Sequence, residues 1–127
     1  RSIEGKAFYL PISIQKPVYG LFELSNNNDK IIITESCFNT LTCVKYGISS
    51  VSLLGTGTPY QINQLRCLQV SEFILGLDPD EAGDRAYIKL KRQLKNIAIV
   101  KRMQIPKNKD INDLSYEEFF EAYNNRI

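Results

Sequence analysis

The sequence predicts an α/β domain in which a central, mostly parallel sheet of four strands is covered by helices on both faces. Short apolar, β-branched runs recur along the chain, and stretches with helical spacing lie between them. Strands that alternate with helices are typical of a parallel sheet. The 127 residues suffice for one domain with its own core.

The first predicted strand is the β-branched run "KIIIT", residues 30–34. In the stretch that follows, Cys37, Leu41 and Val44 recur at helical spacing, and Gly47 suits a helix C-terminal cap. The other predicted strands are 48–54, 72–77 and 97–100, and the other predicted helices are 60–68, 81–94 and 115–123. The last helix opens with a capping box formed by Ser115 and Glu118.

The composition excludes several kinds of site. Histidine is absent, which removes Ser-His and Cys-His nucleophiles and the commonest zinc ligand. The three cysteines form no C-x-x-C pair, so we expect small core residues and a reducing cytoplasm. No apolar stretch approaches the ~20 residues of a membrane span, and we expect no membrane partner.

Acidic side chains follow two of the predicted strands. Glu35 comes directly after the first strand, and Asp78 and Asp80 follow the third, in "GLDPDEAG". Because the carboxyl ends of parallel strands meet at one crevice, these three carboxylates are expected to meet and repel each other. A divalent cation such as Mg²⁺ removes that penalty and prefers oxygen ligands. The pattern therefore favours a metal site.

A structural interpretation competes for part of this cluster. Asp80 suits the N-cap of the helix over 81–94, and Glu81 and Asp84 would complement the helix dipole in its first turn. That interpretation leaves Asp78 and Glu35 unexplained.

Two further features suit nucleotide or nucleic-acid contacts. Gly55, Thr56 and Gly57 form a turn beside the expected crevice, where glycine lets a nucleotide approach the backbone or simply permits a tight turn. Nine basic residues and no acidic one lie between Arg85 and Lys109. Lys89 and Arg92 in this block are candidates for contact with a nucleic-acid backbone, although a charged helix face is often only solvated.

Five segments in the same order resemble the Toprim domain of bacterial and bacteriophage DNA primases. They are Glu35 after the first strand, the "DPDEAG" run, "VYGLFEL" (18–24), "SLLGTGTPYQINQL" (52–65) and "KNKDINDL" (107–114). The resemblance covers nearly the whole chain and implies a Toprim, Rossmann-like fold. It divides the chain into an N-terminal extension (1–29), the edge of a preceding primase subdomain, and a Toprim catalytic domain (30–127).

The resemblance also implies an activity. Such primases synthesise RNA primers on a single-stranded DNA template from ribonucleoside triphosphates, by metal-dependent nucleotidyl transfer, and a replicative helicase is a candidate partner. By resemblance, Glu35, Asp78 and Asp80 are catalytic and, with Asp110, hold Mg²⁺ or Mn²⁺. Lys16 lies near the position where the family places a basic residue for phosphate or template, and a solvated loop lysine is the alternative.

This sequence departs from the family pattern at two positions, because Asn39 and Asn112 stand where primases have acids. These amides are accessory oxygen donors without charge, which puts a second metal ion in doubt. Two other functions are compatible with the same acids: DNA cleavage of the Toprim nuclease or topoisomerase type, and nucleic-acid binding without catalysis. The resemblance to primases implies a bacterial cell or a phage-infected host, and it implies that the 127 residues alone are weakly active or inactive.

Overall fold

A computed structural model describes residues 18–20, 29–54 and 57–127. Four strands form one sheet: β1 (Lys30–Thr34), β2 (Ser50–Ser52), β3 (Glu72–Leu75) and β4 (Ile99–Arg102). Their order is β2-β1-β3-β4, and each neighbouring pair is parallel. The helices are α1 (Cys37–Lys45), α2 (Pro59–Arg66), α3 (Glu81–Leu94) and α4 (Tyr116–Asn124), with a short 3-10 helix at Ile111–Asp113. The predicted α/β class is confirmed.

The two faces of the sheet carry separate cores. Alternate residues of a strand point to opposite faces, and β1 shows this within "KIIIT". Ile31 and Ile33 pack in a cluster with residues of α2 and α3, whereas Ile32 packs in a cluster with residues of α1 and α4. All three isoleucines are almost completely buried. The helices therefore cover both faces, as predicted.

Helix α1 packs with a different side from the one that its apolar spacing predicts. Leu41 and Val44 are 51% and 53% exposed, while Asn39, Thr40 and Cys43 are buried. Hydroxyl groups explain this orientation, since the Thr40 hydroxyl bonds those of Thr34 (2.9 Å) and Ser50 (3.0 Å). These bonds satisfy polar groups that would otherwise be buried without partners.

The cysteines differ in their surroundings. Cys43 is buried, and burial raises the pKa of its thiol to about 12. Cys37 is half-buried and Cys67 is exposed, so the expectation of small core residues is wrong for Cys67. The sulfur of Cys43 therefore stays neutral inside the core.

The ends of the outer strands differ most from prediction. β2 is shorter than the predicted 48–54, and β4 begins at Ile99 rather than residue 97. The amides of Ile97 and Ala98 donate to the Leu94 carbonyl, which extends the turn after α3 and delays the strand.

Each outer strand meets a segment from elsewhere in the chain. Tyr19 and Ser52 of β2 exchange two backbone hydrogen bonds, of 2.7 and 2.9 Å, in an antiparallel bridge. Arg102 of β4 and Ile127 likewise exchange two, of 2.8 and 3.1 Å.

In the ranges that the structure describes, none of the helices has the length and apolar character needed to cross a membrane.

An ion pair joins the C-terminal segment to the start of β3. The Arg126 guanidinium donates from Nε to Glu72 Oε2 (2.5 Å) and from Nη2 to Oε1 (3.3 Å). The Glu72 side chain is 7% exposed, and the bond to its carboxylate raises the pKa of Arg126. The guanidinium also lies over the Tyr123 ring, 4.5 Å from its centroid.

Candidate active site

The order of the strands places a crevice at the carboxyl ends of β1 and β3. These strands are neighbours, but the chain leaves β1 through α1 towards β2 and leaves β3 through α3 towards β4. Helices α1 and α3 contribute to the cores on opposite faces. Such a reversal of direction is where open α/β sheets bind ligands. Glu35 follows β1 here, and Asp78 and Asp80 follow β3.

The structure brings Glu35, Asp78 and Asp80 within electrostatic reach of each other. Burial raises the pKa of Glu35 most, and the charges of Asp78 and Asp80 raise it further. Burial also raises the pKa of Asp78, followed by the charges of Asp110, Asp80 and Asp113. The sheet therefore gathers acids from three separate parts of the sequence around one region.

The acids are close without forming a coordination shell. Among the described residues, no three acidic or cysteine side chains converge closely enough to hold a metal ion. The donor chemistry nevertheless fits a hard cation, because the groups that face each other are carboxylates. Asn39 lies four residues after Glu35 and is 6% exposed, and its side-chain Oδ1 has no hydrogen-bond partner among the described residues. Buried oxygens without partners are rare in native structures.

The first turn of α3 fixes the backbone beneath Asp78 and Asp80. Asp80 is the N-cap, as the structural interpretation predicted, and its Oδ1 accepts from the Gly83 amide at 2.7 Å. A Cβ atom on Gly83 would lie only 1.9 Å from the Asp78 carbonyl oxygen. Glycine at position 83 thus permits the helix to begin directly against this loop, while capping uses one oxygen of the Asp80 carboxylate.

Arg102 is a residue of the site that the sequence did not single out. Its Nη1 donates to Asp84 Oδ1 (2.7 Å), and its Nη2 donates to the Asp78 carbonyl (2.8 Å). Its charge offsets a small part of the rise in the pKa of Glu35. The end of the fourth strand could have identified it, because Arg102 is the last residue of β4 and so lies at the same sheet edge as the acids. Ending the predicted strand at residue 100 concealed that position.

The segment with Asp110 and Asn112 approaches the site through the 3-10 helix. Asp110 and Asp113 form a reciprocal capping box, with bonds of 3.2 and 3.0 Å. The Asn112 Oδ1 accepts from the Thr42 hydroxyl of α1 at 2.5 Å. Asp110 contributes charge at Asp78, while Asn112 ties the 3-10 helix to α1.

A family model described as Toprim-like matches residues 32–115, which is most of the chain and runs from within β1 to just past the 3-10 helix. The chain belongs to the Toprim-like family. No match was found among curated protein sequences.

Solved structures similar to this Toprim-like chain include primases. A DNA primase domain from Pseudomonas aeruginosa has a TM-score of 0.72 at 20% identity, covering 86% of this chain and 38% of that one. The Aquifex aeolicus primase, with its zinc-binding and RNA polymerase domains, has a TM-score of 0.68 at 21% identity, covering 86% and 28%. The primase fragment of the bacteriophage T7 primase-helicase has a TM-score of 0.61 at 21% identity, covering 84% and 46%. This chain thus spans less than half the length of these three structures, and the likeness shows the Toprim fold.

The predicted contact residues of this Toprim-like domain are placed in part. The Lys89 ammonium donates to the Gly57 carbonyl at 2.8 Å, so this lysine joins α3 to the loop before α2. Gly57 has φ +98°, which favours glycine there, and Arg92 is exposed on α3. Lys16, Gly55 and Thr56 lie outside the described residues.

Proposed function

We propose that this chain is the Toprim catalytic part of a DNA primase, which synthesises RNA primers on single-stranded DNA by metal-dependent nucleotidyl transfer. The observation that carries the proposal is the placement of Glu35, Asp78 and Asp80 after the carboxyl ends of the neighbouring parallel strands β1 and β3. The similarity of the fold to primase domains supports this reaction over DNA cleavage of the nuclease or topoisomerase type and over binding without catalysis.

In this proposal, Glu35, Asp78, Asp80 and Asp110 hold Mg²⁺ or Mn²⁺, and Asn39 Oδ1 and the Asn112 amide are accessory oxygen donors. When bound, the cation stabilises negative charge on the transferred phosphoryl group and on the pyrophosphate that leaves. The side chains of the site would present their carboxylate and amide oxygens to the cation. Gly83 and the Asp80 cap hold the loop that carries Asp78 and Asp80.

The remaining assignments extend this proposal to partners and organisation. Ribonucleoside triphosphates and the template strand would lie against the turn at Gly55, Thr56 and Gly57 and against basic side chains at Lys16, Lys89 and Arg92. Residues 1–29 would form the edge of a preceding primase subdomain, and residues 30–127 the catalytic domain. The protein would act in the cytoplasm of a bacterium or a phage-infected host, together with a replicative helicase.

The test begins with metal binding by the chain itself. Mn²⁺ titration followed by electron paramagnetic resonance is expected to show saturable binding by the wild type. Asp78→Asn is expected to weaken it at least tenfold, because a charged ligand is lost. Glu117→Gln, which removes an exposed carboxylate from α4, is the matched control and is expected to leave the affinity unchanged.

Activity is then measured with the longer protein that contains this chain, using labelled ribonucleotides and single-stranded DNA. Metal-dependent primers that disappear in Asp78→Asn would support the proposal. Metal-dependent nicking of plasmid DNA without primer synthesis would favour cleavage instead. Absence of Mn²⁺ binding by the wild type would favour a module that binds nucleic acid without catalysis.

A further inference from the structure

The side chain of Arg102 reaches from the end of β4 to the loop that follows β3. Its two terminal nitrogens donate to different acceptors, Nη1 to the Asp84 carboxylate and Nη2 to the Asp78 backbone carbonyl. The side chain is 16% exposed, and its guanidinium lies 5.5 Å from the centroid of the Tyr87 ring. These three contacts restrict the orientation of the guanidinium.

Helix α3 confines the same carbonyl oxygen, next to the guanidinium. Gly83 leaves room for the Asp78 oxygen, and a Cβ atom there would also lie 3.1 Å from Arg102 Nη2. The Asp78 carbonyl oxygen is therefore in contact with both the first turn of α3 and the guanidinium. Because a peptide plane is rigid, fixing its carbonyl fixes the direction in which the chain continues through Pro79 to Asp80.

We propose that Arg102 is a positioning residue for the carboxylates of Asp78 and Asp80, acting through the Asp78 backbone carbonyl. This inference rests on the proposed function, because it assigns those carboxylates to a metal ion. The bond to the carbonyl leaves the Asp78 carboxylate outside the contacts of the guanidinium. Arg102 thus orients the loop without bonding to the acid that it positions.

A role in positioning and a role of charge alone predict opposite results. If only its charge mattered, Arg102 would repel a cation, so Arg102→Met would bind Mn²⁺ more tightly and Arg102→Lys would match the wild type. A lysine keeps the charge but lacks the planar fork that serves two acceptors in fixed directions. Positioning therefore predicts weaker binding in Arg102→Lys, by about tenfold, as for other groups that orient metal ligands. Arg102→Met is also expected to bind more weakly than the wild type.

Arg66 offers a matched control. It too donates to a backbone carbonyl, that of Gln93 at 3.1 Å, but this carbonyl belongs to the last turn of α3. The 13 residues from Asp80 to Gln93 place it roughly 20 Å along the helix from the acids. Arg66→Lys and Arg66→Met are expected to keep the wild-type affinity for Mn²⁺.

The experiment measures Mn²⁺ affinity by electron paramagnetic resonance at a temperature where circular dichroism shows each variant folded. The amide resonance of Gly83, which bonds the Asp80 carboxylate, reports the geometry of the loop without metal and is expected to shift in Arg102→Lys but not in Arg66→Lys. An Mn²⁺ affinity of Arg102→Lys within twofold of the wild type, or tighter Mn²⁺ binding by Arg102→Met, would overturn this inference and leave the proposed function standing. No Mn²⁺ binding by the wild type would overturn the proposed function and this inference with it.

Discussion

The acids of the cluster differ in how they affect the stability of the fold. Glu35 is half-buried beside other carboxylates, and its pKa is raised. Such an arrangement opposes folding when all the groups are ionised and no cation is present. Asp80 shows the other case, because its carboxylate also stabilises a helix as an N-cap. Asp80 therefore stabilises the fold, whereas the ionised carboxylate of Glu35 destabilises it when no cation is bound.

Glu35→Gln is expected to stabilise the metal-free protein at neutral pH. A carboxyl group whose pKa is raised by folding binds its proton more tightly in the native state, so stability falls as pH rises from the ordinary value of 4.5 through the raised value. Removing the charge abolishes that loss. We expect Tm at pH 7 in EDTA to rise by roughly 1–4 °C, with little change at pH 4.

Differential scanning calorimetry at the two pH values checks this result. Glu117→Gln, which removes an exposed acid outside the cluster, is expected not to raise Tm at either pH. A lower Tm for Glu35→Gln at pH 7 than for the wild type would contradict the sign of the pKa shift.

At the scale of elements, the junction between β3 and α3 depends on glycine. Gly83→Ala adds a residue with a higher helix propensity, worth about 1 kcal/mol. The added Cβ would lie 1.9 Å from the Asp78 carbonyl oxygen, and that overlap can be relieved only if the helix or the loop moves. We expect the clash to dominate, with a net loss of roughly 1–3 kcal/mol in the free energy of unfolding.

Urea denaturation measures this difference. Ala82→Gly, at the preceding exposed position of α3, is the control, and helix propensity alone predicts a loss of about 0.5–1 kcal/mol. If Gly83→Ala proved more stable than the wild type, the close packing of α3 against the Asp78 loop would be wrong.

The elements also show how far the sequence could predict the structure. Uniform runs such as "KIIIT" and the capping box at Ser115 located β1 and the start of α4, because local patterning and tertiary packing agree there. They disagree in α1, where bonds among the hydroxyls of Thr34, Thr40 and Ser50 replace apolar contact. Such bonds join residues from three elements, so the apolar spacing of one helix does not reveal them.

The candidate site was predictable to the extent that a strand end fixes a position. Glu35 lies directly after β1 and Asp78 lies three residues after β3, so both were placed at the carboxyl edge of the sheet. That β1 and β3 are neighbours depends on the strand order, which the sequence does not specify. Arg102 required the true end of β4, which the turn after α3 displaces by two residues. The role of Gly83 depends on the path of a neighbouring backbone, which sequence spacing does not specify.

At the scale of the whole molecule, the pair between Arg126 and Glu72 connects the end of the described chain to the sheet. Arg126→Met would leave Glu72 buried without its partner, and an uncompensated buried charge costs about 3–5 kcal/mol. We expect cooperative unfolding in urea at a lower midpoint, with that loss of free energy.

A double variant tests whether the loss of stability comes from the unpaired charge of Glu72. Glu72→Leu combined with Arg126→Met removes both charges and is expected to recover most of the stability, since buried pairs are often neutral against apolar replacements. Equal stability of Arg126→Met and the wild type would show that the pair contributes nothing to the fold.

The bridges at Tyr19 and Ile127 have a consequence for how copies of this molecule meet. An exposed sheet border presents unpaired amides and carbonyls and can recruit strands from other molecules, which is a route to aggregation. Here Tyr19 pairs along β2 and Ile127 pairs along β4, and these strands are only three and four residues long. One residue of each outer strand is thus paired within the molecule, which leaves two residues of β2 and three of β4, and we expect so short a border to be a poor template for other copies.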